Sequence, residues 1–215
     1  MTQTIDELLA LAPVIPVLVI ENLDDAVPLA NALVAGGLPV LEITLRTPVA
    51  LAAIEAIATQ VPEASVGVGT VIATDEMEQS IDAGACFAVS PGCTSELATK
   101  AEAFELPYLP GVANPSDVMR ALEHNLSTLK LFPAEAAGGI PMLKALAGPF
   151  PQVRFCPTGG IGPDNLKDYL GLSNVVAVGG SWIAPRQSVA DKNWDHLTEL
   201  ASAAVAMAAA ATTRA

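Results

Sequence analysis

The 215-residue chain carries 23 acidic against 10 basic residues, a net charge of −13 that excludes a nucleic-acid or anionic-membrane surface, since such surfaces rest on clustered Lys and Arg. A composition 52% hydrophobic and 15% charged is that of a folded chain rather than a disordered one, and the length suits one domain spanning 1–215. Three cysteines without a CxxC pair and only two histidines suggest neither a disulfide framework nor a metal site, and no cofactor is expected.

The apolar run from Leu8 to Ile20 contains Pro13 and Pro16 and is shorter than the roughly 18–20 residues of a membrane span. Asp6 and Glu7 stand where a signal peptide carries positive charge, so the start reads as an N-terminal helix and a first strand, "VIPVLVI", of a cytoplasmic protein with reduced thiols. Helical spacing follows in "DDAVPLANALVAGG", which stops at Gly36 and Gly37, where a left-handed residue is wanted. The strands "PVLEITL", "SVGVGTV", "FAVSP" and "YLPGVA" come next, with a helix end at Gly84 among them. In "NPSDVMRALEHN", Asn114 caps, Pro115 takes the first helical position and Asp117 favours the positive end of the dipole. "TLKLFP" follows, then a helix stopping at Gly148, the strands "VRFCPTGG" and "VVAVGGSW", and an alanine-rich closing helix expected to fray near its end. Eight strands beginning roughly every 20–26 residues, with helices between, predict an α/β fold: a (β/α)8 TIM barrel with an additional N-terminal helix. An open doubly wound sheet fits less well, because no switch point stands out and no GxGxxG follows the first strand.

Alternation along the strands then places polar groups inside. Thr128, Lys130 and Phe132 share one face of their strand, while Leu129 and Leu131 take the helix side. On "VLEITLR", Glu42, Thr44 and Arg46 likewise face inward. A barrel core is ordinarily filled by branched apolar residues, so three ionisable groups there require a use; a self-satisfied ion pair is the plain alternative. Thr70 ends the third strand at the same mouth, where a turn role is the simpler reading, and Ser90 to Gly92 marks a tight turn. Gly159 with Gly160, and Gly179 with Gly180 before Ser181, end the seventh and eighth strands, where barrels build phosphate cradles from backbone amides and following helix N-termini.

"LEITLRT", "GVGTV", "AVSPG", "KLFPAE", "GPFPQVRFCPTGGI" and "VGGSW" resemble, in order and along nearly the whole chain, the 2-keto-3-deoxy-6-phosphogluconate aldolases, many of which also cleave 4-hydroxy-2-oxoglutarate. The resemblance implies a metal-independent class I aldolase in which Lys130 forms a Schiff base, Glu42 shuttles protons, and Arg46 and Thr70 hold the pyruvate carboxylate. Substrate contacts are expected at Pro91 and Phe132, and at Gly159, Gly160, Gly180 and Ser181 as the phosphate cradle, for a small-molecule 2-keto acid or phosphorylated sugar acid as partner; the resemblance also implies a homotrimer. The rivals are a sugar-phosphate isomerase or epimerase on the same barrel, which needs no imine, and a non-catalytic sugar-phosphate sensor, on which the buried ionisable groups would be wasted.

Overall fold

A computed structural model describes residues 3–212. Its strands are β1 (Val14–Leu18), β2 (Val40–Thr44), β3 (Ser65–Gly69), β4 (Ala88–Val89), β5 (Tyr108–Leu109), β6 (Gly111–Val112), β7 (Thr128–Leu131), β8 (Arg154–Phe155) and β9 (Val178–Gly180). The helices are α1 (Ile5–Ala10), α2 (Ala26–Ala35), α3 (Ala50–Gln60), α4 (Thr74–Asp82), α5 (Ser95–Ala103), α6 (Pro115–Glu123), α7 (Gly139–Ala147), α8 (Leu166–Leu170), α9 (Arg186–Ala190) and α10 (Trp194–Thr212). Pairing is parallel, in the orders β5-β4-β3-β2-β1-β9 and β6-β7-β8, giving a curled sheet with helices in the connections. Isolated parallel bridges join Phe155 to Val175 and Thr158 to Gly179. The predicted strand "YLPGVA" is thus two short segments, because Pro110 has no N–H to give the ladder; its carbonyl still accepts from Lys130 N at 2.8 Å.

The inner face is shaped by what it leaves out. A Cβ on Gly67 would lie 2.4 Å from the Phe87 ring, so that glycine lets the ring fill the sheet's interior. On the outside, a Cβ on Gly36 would lie 2.4 Å from Ala201 Cβ, which is why α10 can cross α2 closely, with Thr198 Oγ1 donating to Ala32 O at 3.0 Å. At the N-terminal ends of β7 and β8, Asp6 of α1 accepts from Thr128 Oγ1 at 2.6 Å and pairs with Arg154, while Leu8 and Leu9 are buried.

The turn chemistry forms as expected at Asn114, whose side chain accepts from Asp117 N, and at Gly37 and Gly84, with φ of 90° and 94°. Gly148 differs. It is right-handed, with φ −66° and ψ −60°, and the helical hydrogen bonding continues to Phe150 N, so no left-handed residue ends that helix. The alanine-rich helix runs to Thr212, and any fraying beyond it lies outside the described residues. No helix among the described residues is long and apolar enough to cross a membrane.

Candidate active site

Strands β2 and β7 supply the centre of the site. Glu42 and Lys130 are 3% and 5% exposed, and Lys130 Nζ donates to Glu42 Oε1 at 3.0 Å and Oε2 at 3.3 Å. Glu42 has room because β3 has no side chain opposite it: a Cβ on Gly69, two residues past its register partner Gly67, would lie 2.2 Å from Glu42 Oε1. Two such charges cost several kcal/mol each to desolvate, so the pair exists only because each neutralises the other at hydrogen-bonding distance. Phe132, two residues beyond Lys130, sets its ring centroid 5.4 Å from the ammonium. Thr44, fully buried on the Glu42 face, donates to Leu18 O at 2.8 Å and ties β2 to β1.

Arg46 departs from the expectation. Alternation faces it inward with Glu42, but β2 ends at Thr44 and Arg46 N turns back to Thr44 O at 2.8 Å, leaving the side chain exposed at the C-terminal mouth. Its Nε donates to Thr70 Oγ1 at 3.2 Å. Thr70 holds a φ of 64°, a left-handed conformation costly for a β-branched residue and met chiefly at functional sites. The structure therefore joins Arg46 and Thr70 at the mouth and Lys130 with Glu42 below it.

Pro91 is exposed in the turn after β4, whose carbonyl would lie 2.2 Å from a Cβ on Gly111, so the turn folds over the strand beside Lys130. Gly159 and Gly160 have φ of 103° and 80°, conformations open to glycine, and their loop is tied to the one after β7 by Ala134 N to Thr158 O at 2.8 Å and Glu135 N to Gly159 O at 3.1 Å. Gly180 is instead part of β9, and a Cβ there would lie 2.0 Å from the Trp182 ring. The helix N-termini expected right after both glycine pairs are absent: α8 begins at Leu166 and α9 at Arg186, because the chain first makes turns that a proline ends or interrupts. Any anion at these turns would meet backbone amides and Ser181 rather than a helix dipole.

Two inner residues escaped the sequence reading. The pairings Thr128–Arg154 and Leu129–Phe155 put Cys156 beside Lys130, and Thr158 follows on the same face with 6% exposure. Burial pushes the Cys156 thiol up to about 12, with the Lys130 charge pulling it partly back, so the thiol stays neutral. The alternation of "FCPT" could have exposed both. Among the described residues no group of three or more His, Cys, Asp or Glu side chains is placed to hold a metal ion.

A family model for KDPG and KHG aldolases matches residues 5–200. The chain is 49% identical over 200 residues to the KHG/KDPG aldolase of Escherichia coli, covering 93% of this chain and 94% of that one. It is also similar to the KDPG aldolase of Legionella pneumophila, whose crystal structure holds pyruvate captured at low pH as a covalent carbinolamine intermediate, with 50% identity, a TM-score of 0.93 and coverage of 95% and 100%. The 2-keto-3-deoxy-6-phosphogluconate aldolase of Zymomonas mobilis, solved with 3-phosphoglycerate, matches at 50% identity and a TM-score of 0.90, covering 96% and 97%.

Proposed function

The chain belongs to the KDPG and KHG aldolase family, and from that premise we propose that it cleaves 2-keto-3-deoxy-6-phosphogluconate to pyruvate and glyceraldehyde 3-phosphate through a Schiff base on Lys130. By the same steps it cleaves 4-hydroxy-2-oxoglutarate to pyruvate and glyoxylate. The observation that carries this reading is the buried Lys130–Glu42 pair, an amine and a carboxylate within 3.0 Å of each other.

Lys130 gives its proton to the adjoining Glu42 carboxylate and its free amine adds to the C2 ketone; the carbinolamine hydroxyl then takes that proton and leaves as water, giving a protonated imine and restoring the carboxylate. Glu42 takes the C4 hydroxyl proton; the C3–C4 bond breaks, its electrons pass into the imine, and the aldehyde leaves. The enamine left on Lys130 takes a proton at C3, returned by Glu42, and water hydrolyses the imine to free pyruvate. Arg46 and Thr70 bind the carboxylate next to the ketone, with Pro91 and Phe132 against the bound chain. Gly159, Gly160, Gly180 and Ser181 hold the distal phosphate through amides and a hydroxyl.

The same reading takes the nine strand segments as eight strands of one (β/α)8 barrel over 1–215, with α1 additional to it. Support comes from β5 and β6 flanking Pro110 and from two bridges, Thr158 to Gly179 of β9 and Phe155 of β8 to Val175 just before β9. The family resemblance adds a homotrimer that acts without a metal or cofactor, and the sequence adds a cytoplasmic location from Asp6 and Glu7 and, from its charge of −13, neither nucleic acid nor membrane as partner.

Incubation with pyruvate and borohydride tests the covalent step. Peptide mapping should find the reduced adduct on Lys130 alone, with Lys100, Lys144, Lys167 and Lys192 unmodified; an adduct on another lysine, or on none, rejects the mechanism.

A further inference from the structure

A cavity of about 630 Å3 opens at Ser181, the residue after Gly180, within the roughly 300–1,000 Å3 usual for small-molecule sites. Val17 lines it and is in register with Glu42 on the next strand, so the cavity reaches the strand beside Glu42. Ser181 lines it too, as do Arg186 and Lys192, two of only ten basic residues in a chain of net charge −13.

Both cations are paired with carboxylates of the segment between β1 and α2, but on unequal terms. Lys192 Nζ is 3.9 Å from Asp25 Oδ1, an oxygen that has no hydrogen-bond partner among the described residues. Asp25 is only 7% exposed, so withdrawing Lys192 would strand a buried carboxylate. Arg186 pairs with Glu21 through side chains that are 83% and 53% exposed. Such a surface pair is weakly held, and Glu21 rehydrates freely when released. A guanidinium is also the better phosphate ligand, since its planar fork can bind two oxygens at once.

We infer that Arg186 is a specificity-determining residue for the phosphorylated substrate: it leaves Glu21 and closes on the phosphate from the α9 side of the cavity that it shares with Ser181. The inference rests on the proposal that the phosphate lies at the glycine turns and Ser181. Glu21 is then a competitor for the guanidinium, and the two halves of the pair act with opposite sign. Were the pair only structural, breaking it from either side would have the same effect.

KM for 2-keto-3-deoxy-6-phosphogluconate and for 4-hydroxy-2-oxoglutarate, measured for Arg186→Ala and Glu21→Gln at low salt, tests this. Arg186→Ala should raise KM for the phosphorylated substrate about three- to tenfold, and Glu21→Gln should lower it about twofold, with smaller changes for the shorter substrate. Changes of the same direction in both variants, or equal changes on both substrates, overturn the inference. Gly160→Asp, which puts a carboxylate at the turn, separates this from the premise. A selective rise in Gly160→Asp without one in Arg186→Ala overturns the role of Arg186 alone, whereas unselective effects in both variants overturn the phosphate placement as well.

Discussion

At the scale of single residues, the Lys130–Glu42 pair is expensive to keep. Replacing a buried ion pair with well-packed apolar side chains is often neutral or stabilising by about 1–4 kcal/mol, so its 3% and 5% exposure points to chemistry rather than stability. Glu42→Gln keeps the shape and a hydrogen-bonding group but cannot take a proton. Cleavage should slow by about 10² to 10⁴-fold while pyruvate is still trapped on Lys130 by borohydride. Near-normal turnover in this variant would reduce Glu42 to a counter-ion. Thr70 makes a parallel case: its left-handed backbone costs about 1–3 kcal/mol, and the hydrogen bond to Arg46 is what that strain aims.

The elements divide the work between the two ends of the sheet. The proposed catalytic and binding groups gather on β2, β3, β7 and β8 toward their C-terminal ends, and α1 secures the opposite end through Asp6. The Thr128 bond is partly buried, whereas the Arg154 pair has side chains 45% and 40% exposed, so most of the contribution comes from the hydroxyl. Asp6→Ala should lower unfolding stability in urea by about 1–2 kcal/mol, with kcat within about twofold of the parent, because the lost contact lies on the face away from the chemistry. A kcat collapse in folded protein would mean instead that α1 sets the register of β7 and hence the placement of Lys130.

For the whole molecule, an acidic chain must bind an acidic substrate, and the proposed site sets local groups against a global charge of −13. Sedimentation equilibrium should find a single species of three times the chain mass; a monomer at micromolar concentration would remove the proposed assembly. Much of this protein was legible in its sequence. Period-two alternation placed Lys130 and Glu42 on inner faces, and the recurrence of strand and helix gave the parallel α/β class, because both depend only on neighbours along the chain. Distances across the sheet were not legible. Lys130 meets Glu42 from 88 residues away and Arg186 meets Glu21 from 165, contacts set by the relative register of strands and loops far apart in the chain. The same limit hid the outward turn at Arg46: alternation says which way a residue points while the strand lasts, and only the folded ladder decides where the strand ends.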